Sequence, residues 1–367
     1  MNRSFYLDLA RAGHRVPIGT DLVLHEQADA PDIMLSGPRL GQIVVDSARR
    51  YRSPLALPLM DLRIEKSLLA QSLGIGARPS KPGQSESSSA APGSSDDIDQ
   101  WHIDTVPDEK AFAAARKINV LTHPRAKATA DAVAYVAQQK DLVPIGMGIG
   151  PFSLMTKLIA DPITPVFLAG TGITAAEDEE VARVEKTFDL GMIVIEKFLT
   201  AQIDAGAKAI VICEPAANSV YFSPIQLAND TSIFDRYVMR YCHQIKSLLA
   251  GRHVDLIFHD CGELIPVMIE KFCSLDPAIL SFGSSRKLWE DAAIVPHTTV
   301  LYGNLPSKRF YSDDLISVDD VRRMARELIE KVAATGHPFI LGSECDVLSV
   351  KEHHATIAAK VQAMLDA

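Results

Sequence analysis

The sequence predicts an α/β protein, a single (β/α)8 TIM barrel over residues 1–367 with additional helices in its N-terminal part. Three observations predict this fold. Eight short segments are rich in β-branched and apolar residues, helical periodicity separates most of them, and several are continuous apolar runs. Continuous apolar runs are typical of parallel strands that are buried on both faces. Eight such strands alternating with helices favour a barrel over an open doubly wound sheet.

The predicted strands follow one another along the chain. They are residues 15–19, 53–60, 143–148, 209–213, 255–259, 278–282, 299–302 and 338–341. Helical periodicity with charges on one face is clearest at 184–205 and 318–334, and further helices are expected around 42–50 and 108–138. The length of 367 residues suits one large barrel, which commonly takes roughly 200 to 400 residues.

Composition excludes several classes of protein. With 47% hydrophobic and 23% charged residues, the chain has the mix of a soluble globular protein. Its net charge is −9 and no Lys/Arg cluster stands out, so we expect no nucleic-acid partner. The longest apolar runs are far shorter than the ~20 residues of a membrane span, and no apolar signal segment opens the chain. We expect a cytoplasmic protein whose five cysteines are reduced.

One segment differs in composition from the rest. Residues 77–100 are rich in Ser, Pro, Gly and Asp and contain few side chains that a core would bury. This composition predicts a flexible surface insertion. Strand–helix alternation continues on both sides of it, so the insertion does not divide the chain into two domains.

Polar, reactive and glycine residues follow the predicted strands. In a (β/α)8 barrel the active site lies at the C-terminal ends of the strands, so these residues are the candidates for it. In chain order they are Asp61, Gly148, Gly150, Glu214, His259, Cys261, Asn304 and Cys345. We expect Asp61 and Glu214 to be catalytic. Gly148, Gly150 and Asn304 are the candidate cofactor-binding residues.

His259, Cys261 and Cys345 form the sharpest candidate site. Residues at i and i+2 of an extended segment point the same way, so His259 and Cys261 can bind one ion. The eighth strand lies close enough to the fifth for Cys345 to reach across the barrel mouth. Two thiolates and one imidazole suit Zn²⁺, and three protein ligands leave one position open, as in catalytic zinc sites. The alternative is that all three are ordinary buried residues.

The predicted donor set also points to a type of chemistry. Zinc bound by two thiolates is electron-rich and generates hydroxide poorly, but it suits a substrate thiol that binds and loses its proton. The residues therefore favour alkyl transfer to or from sulfur over hydrolysis. Glu214 and Glu263 are candidates for a fourth ligand that a substrate would displace, and each is equally well interpreted as a solvated carboxylate.

At these residues the sequence resembles the uroporphyrinogen decarboxylase superfamily. The resemblance lies in PLMDLRIEKSLLAQSLGI (58–75), GMGIGPFSLMTKLIADP (146–162), YGNLPS (302–307) and FILGSECDV (339–347). It implies a (β/α)8 barrel with its active site at the C-terminal mouth. The superfamily contains metal-free decarboxylases and a branch of cobamide-linked methyltransferases.

Two features separate these branches. The decarboxylases begin with an arginine-rich motif that holds the acidic porphyrinogen, whereas only Arg15 precedes the matching segment here. Asp61 matches the central aspartate of the decarboxylases, but it stands in LMDLR rather than in the usual F-S-D-I setting. His259-x-Cys261 and Cys345 resemble the zinc motif of the methylcobamide:coenzyme M methyltransferases.

The resemblance thus implies a zinc-dependent methyltransferase that moves a methyl group between a cobamide and a small thiol bound as zinc thiolate. Methylcobamide would be the co-substrate. The chain has no D-x-H-x-x-G corrinoid-binding signature, so the cobamide would arrive on a corrinoid protein or free. Three alternatives stay open: a corrinoid-dependent demethylase acting on a small O-, N-, S- or halo-methyl donor, a uroporphyrinogen decarboxylase-like enzyme that uses Asp61 without metal, and a catalytically silent binding barrel.

Overall fold

A computed structural model describes residues 3–75, 98 and 100–367 of the chain. It confirms the predicted (β/α)8 barrel: eight parallel strands form one sheet in the order β1-β8-β7-β6-β5-β4-β3-β2, with helices between them. The strands are β1 (Arg15–Val16), β2 (Leu55–Ala56), β3 (Val143–Ile149), β4 (Ala209–Cys213), β5 (Asp255–Asp260), β6 (Ile279–Phe282), β7 (Val300–Leu305) and β8 (Phe339–Ser343). The predicted insertion at 77–100 lies outside the described residues except at positions 98 and 100.

All eight predicted strands are present, but the first two are much shorter than predicted. β1 and β2 have two residues each, where the sequence predicts five and eight. Prolines account for this difference: Pro17 follows β1, and Pro54 and Pro58 flank β2. Proline has no N–H to donate to a ladder, so backbone pairing stops beside it. β1 pairs with β8, and β2 pairs with β3. β1 and β2 are therefore the two terminal strands of the sheet.

The helices cover the outside of the barrel and also fill its longer connections. They are Ser4–Arg11, Thr20–Leu24, Ala30–Ile33, Gly37–Arg50, Ile64–Ser72, Glu109–Lys117, Pro124–Val136, Pro151–Leu158, Ile163–Gly170, Glu179–Asp204, Pro224–Asn229, Ser232–Phe234, Arg240–Gly251, Pro266–Cys273, Leu288–Asp291, Val318–Thr335 and His354–Leu365. The first of these confirm the predicted helical N-terminal part. The helical stretch predicted at 108–138 is interrupted at Val120–Thr122, and Pro124 begins a new helix because proline suits a first helical position.

Apolar side chains fill most of the barrel interior below the level of the C-terminal end of β5. Inward-facing side chains from neighbouring strands pack together there, among them Val211, Ile257, Ile279 and Tyr302. The inward-facing row of β5 runs from Ile257 to His259, because alternate residues of a strand share a face. His259, with Ser281 beside it on β6, therefore places polar groups at the barrel mouth above these layers. Within the described residues, no helix combines the length and the apolar character that crossing a bilayer requires.

Candidate metal centre at the barrel mouth

Three side chains that are distant in sequence meet at the barrel mouth. The ligand atoms of His259, Cys261 and Cys345 all lie within 4.8 Å of one another. His259 belongs to β5, Cys261 follows that strand, and Cys345 follows β8. Two thiolates bound to one zinc ion lie roughly 3.8 Å apart, given Zn–S bonds of about 2.3 Å. Small side-chain rotations would therefore suffice to bind an ion.

The environment of His259 fits the role of a metal ligand. The side chain is buried, and its Nδ1 lies 2.9 Å from the Ser281 hydroxyl on β6, which fixes the plane of the ring. Its Nε2 is also buried but has no hydrogen-bond partner among the described residues. A buried polar atom without a partner is rare and requires an explanation. A metal ion bound by Nε2, with the other ring nitrogen held by a hydroxyl, supplies that explanation.

The sulfur atoms of the two cysteines lie close together. The interaction with Cys345 lowers the pKa of Cys261, against the opposing effect of burial and with help from His259 and Lys308. The same interaction raises the pKa of Cys345, whose thiol has the sulfur of Met60 as its hydrogen-bond acceptor. Cys261 is therefore the more easily ionised thiol of the pair. One nitrogen and two sulfur atoms form a borderline-soft donor set that fits zinc.

Glu214 lies outside this three-residue cluster and caps a helix. Its buried carboxylate accepts hydrogen bonds from the amides of Phe152 (3.0 Å) and Ser153 (2.5 Å), in the first turn of Pro151–Leu158. Burial raises the pKa of Glu214 to about 7, although the bonds from Ser153 and Phe152 lower it in part. Its predicted part in catalysis stays a prediction, whereas its contacts with the helix are structural.

The two candidate glycines are required by close packing. A Cβ atom on Gly150 would lie 2.2 Å from a carboxylate oxygen of Glu214, so a side chain there would displace the helix cap. A Cβ atom on Gly148 would lie 2.8 Å from the side chain of Leu199, on the outer helix Glu179–Asp204. Gly150 therefore borders the cap, and Gly148 faces the outer helix layer. Binding of a cofactor by either residue stays a prediction.

Asp61, which follows β2, is a doubly paired carboxylate. Its oxygens lie 3.0 Å from Arg125 and 3.2 Å from Arg63. Burial would raise the pKa of Asp61, but the two guanidinium groups outweigh it and lower the pKa below its usual range. The preceding residue, Met60, brings its sulfur to 3.8 Å from that of Cys345. Asp61 therefore follows a residue that contacts Cys345, it is ionised, and both its oxygens are engaged.

Asn304, near the C-terminal end of β7, holds the loop that follows β6. Its side-chain amide donates to the carbonyl groups of Gly283 (2.7 Å) and Arg286 (2.9 Å), which follow β6. Its predicted cofactor contact is untested. Sequence reasoning missed another rim residue, Lys308, whose ammonium group lies 3.6 Å from the sulfur of Cys261. Its position just after the segment YGNLPS at the end of β7 is the signal that would have found it.

The sequence analysis also missed Glu65, a buried glutamate whose ionisation should make the stability of the fold depend on pH. One of its oxygens accepts a bond from the Ile149 amide (2.9 Å), while the other is buried without a partner among the described residues. Burial raises the pKa of Glu65 from 4.5 to about 8. Between these values the folded protein binds more protons than the unfolded chain, so stability falls as pH rises from about 4.5 to 8.

We therefore expect Glu65→Gln to gain stability relative to the native protein as pH rises. The two proteins should differ least near pH 5 and should diverge by several kcal/mol at pH 8, at roughly 1.4 kcal/mol per pKa unit. Urea unfolding at both pH values measures this difference. The control is Glu196→Gln, which changes an exposed glutamate on the outer helix Glu179–Asp204. A constant difference between Glu65→Gln and the native protein at the two pH values would contradict the prediction.

Comparisons with known proteins agree with this architecture. The sequence model of the family described as uroporphyrinogen decarboxylase (URO-D) matches residues 102–367. Among solved structures, a methyltransferase from Methanosarcina mazei is similar to the chain with a TM-score of 0.65 and 14% sequence identity, and the match covers 100% of this chain and 99% of that one. At this identity the likeness establishes the fold alone. No curated protein sequence matches the chain.

Proposed function

Since the chain belongs to the uroporphyrinogen decarboxylase (URO-D) family, we propose that it is a zinc-dependent methyltransferase that moves a methyl group between a cobamide and a small thiol. The observation that carries this proposal is the cluster of His259, Cys261 and Cys345, with ligand atoms within 4.8 Å of one another. A metal-free decarboxylase has no need of such a cluster. The likeness in fold to a methyltransferase from Methanosarcina mazei supports the same choice within the family.

Each residue of the cluster has a distinct part in this proposal. Ser281 fixes the His259 ring, whose unpartnered Nε2 would bind the ion. Cys261 and Cys345 would supply two sulfur ligands. Zinc held by these three residues would lower the pKa of an incoming thiol and keep its sulfur nucleophilic. The protein contributes alignment of this sulfur for in-line displacement.

The proposed reaction balances without a further reagent. The acceptor thiol releases its proton to solvent, and its sulfur attacks the methyl carbon of methylcobamide. The S–C bond forms as the Co–C bond breaks, and the electron pair of the broken bond stays on cobalt, which leaves as cobalt(I). In the reverse direction a methylated substrate transfers its methyl group to cobalt(I), which is the demethylase form of the same chemistry.

Exposed apolar side chains near the strand ends support the docking of a corrinoid protein over the mouth. Val220, Tyr311, Leu315 and Leu348 are exposed, and each lies between the C-terminal end of a strand (β4, β7 or β8) and the next α-helix. Exposed apolar groups of this kind suit an interaction surface. The cluster also follows the ends of strands, and the methyl donor would have to reach it there.

The decarboxylase alternative is less well supported. It would require Asp61 to face a porphyrinogen, and here Arg63 and Arg125 engage its two oxygens. A substrate with many carboxylates would also need arginines that are free to bind it.

The test of this proposal is methyl transfer from methylcobalamin to 2-mercaptoethanol by the purified protein. We expect one S-methyl product, detected by mass spectrometry, for each methylcobalamin lost from the visible spectrum. Ethylene glycol, which replaces the thiol with a hydroxyl, should give no product. Dialysis against a chelator should abolish transfer, and added zinc should restore it. Decarboxylation of uroporphyrinogen by the chelated protein, with no methyl transfer by the zinc-loaded one, would contradict the proposal.

A further inference from the structure

A lysine ammonium group lies against the proposed sulfur ligands. Lys308 Nζ lies 3.6 Å from Cys261 Sγ. Burial lowers the pKa of Lys308, but Cys261, with Cys345 and Glu344, outweighs it and raises this pKa above its usual range. Among the described residues no carboxylate forms an ion pair with this Nζ. A lysine on an exposed loop normally extends into water, where its charge is well solvated. Its position over the thiols therefore requires a structural explanation.

The loop that carries Lys308 is anchored on both sides of it. The preceding Ser307 hydroxyl donates to the Cys345 carbonyl (3.2 Å), which ties the loop to the backbone of a proposed ligand. Two residues later, the Phe310 carbonyl accepts a bond (2.9 Å) from the ammonium group of Lys360, which is fully buried. Phe310 itself is fully buried. These anchors place the Lys308 backbone beside the cluster before any substrate arrives.

Among the described residues around the two thiols, Lys308 supplies an ammonium group and several of its neighbours are acidic. The titratable groups around the thiols come from three strands. They are Cys213 on β4, His259 and Asp260 on β5, and Glu344 and Asp346 after β8. Two cysteine thiolates balance the charge of one zinc ion, so an incoming thiolate adds an unbalanced negative charge. An ammonium group a few ångströms away offsets that charge by Coulomb attraction.

We propose that Lys308 is a positioning residue that holds the Cys261 sulfur by an N–H···S bond and stabilises an acceptor thiol in its ionised form at the metal centre. The inference rests on the proposed function, because it assumes that a thiol reaches an ion bound by the cluster. The inference concerns only the charge on the sulfur atom of the acceptor thiol and makes no claim about the remainder of that molecule. A neutral thiol such as 2-mercaptoethanol is therefore the appropriate probe.

The experiment measures thiol binding to the metal-loaded protein without turnover. Cobalt(II) replaces zinc in the native protein, Lys308→Met and Lys308→Arg, and 2-mercaptoethanol is titrated between pH 6 and 9 while the sulfur-to-cobalt absorption band is recorded. In Lys308→Met we expect the pH midpoint of binding to rise by about one unit, so that affinity at pH 7 falls about tenfold. Lys308→Arg, which keeps the charge, should restore most of the affinity.

Lys287→Met is the matched control. It removes one positive charge from an exposed lysine that also follows a strand, but this lysine pairs with Glu290 at 3.0 Å. It should leave the pH midpoint unchanged, and metal content should be equal in all four proteins. An unchanged midpoint in Lys308→Met would overturn the inference. So would loss of metal from Lys308→Met alone, because that result would assign Lys308 to metal retention. If the native protein gives no thiol-dependent band, the proposed function itself fails.

Discussion

Replacing either Cys261 or Cys345 with serine is expected to remove zinc from the purified protein. The native chain should contain about one zinc ion, and each variant should contain almost none, because a serine hydroxyl does not ionise near neutral pH and is a poor ligand for zinc. Loss of one of three protein ligands should weaken binding about a thousandfold or more. Metal content measured by mass spectrometry after gel filtration, without exposure to chelator, gives the result.

Two controls make this prediction specific. Cys273→Ser changes a half-buried cysteine on the helix Pro266–Cys273, outside the cluster, and should keep its zinc. Far-ultraviolet circular dichroism of each variant separates loss of metal from loss of fold. Retention of zinc by Cys261→Ser or by Cys345→Ser would contradict the assignment of that residue as a ligand. A native protein that contains no metal would contradict the site as a whole.

The sequence was sufficient to predict that His259, Cys261 and Cys345 lie together. The His259-x-Cys261 spacing predicts that two side chains share a face, because the periodicity of an extended segment is local. Cys345 lies 84 positions beyond Cys261, and only the barrel rule brings it to the same rim. Once eight strands are counted correctly, their C-terminal ends must converge. The prediction therefore depended on strand count and polarity, and small errors in strand length did not affect it.

The roles of the carboxylates could not be predicted in the same way. Asp61 and Glu214 both follow strands, and the barrel rule places both at the rim. Which way each side chain turns depends on partners far along the chain. Asp61 is paired with Arg125, 64 positions away, and Glu214 accepts bonds from amides 61 and 62 positions away. The spacing of residues along the sequence does not indicate such long-range contacts. Gly150 gives a partial indication of the Glu214 contact, because a residue without a side chain at this position leaves space for the carboxylate.

Glu214→Ala is expected to destabilise the fold more than it weakens metal binding. Its carboxylate is the acceptor for the buried amides of Phe152 and Ser153, and alanine leaves both without one. Each unsatisfied buried amide costs about 1 to 3 kcal/mol, so loss of the acceptor for both should lower the free energy of unfolding by about 2 to 6 kcal/mol. Urea unfolding of the chelated protein at pH 5, below the raised pKa of Glu214, measures this without a contribution from bound zinc or from ionisation of the buried carboxyl group.

Two further variants distinguish a helix cap from a metal ligand. Glu214→Gln offers one oxygen as acceptor but turns its NH2 group towards the second amide, so it should be destabilised by an intermediate amount. Glu263→Ala removes an exposed carboxylate that follows β5, as Glu214 follows β4, and should change the free energy of unfolding by less than about 0.5 kcal/mol. If Glu214 were instead the fourth ligand, Glu214→Ala would lose zinc affinity while the chelated protein unfolded like the native one. The buried bonds to the first turn of Pro151–Leu158 favour the opposite result.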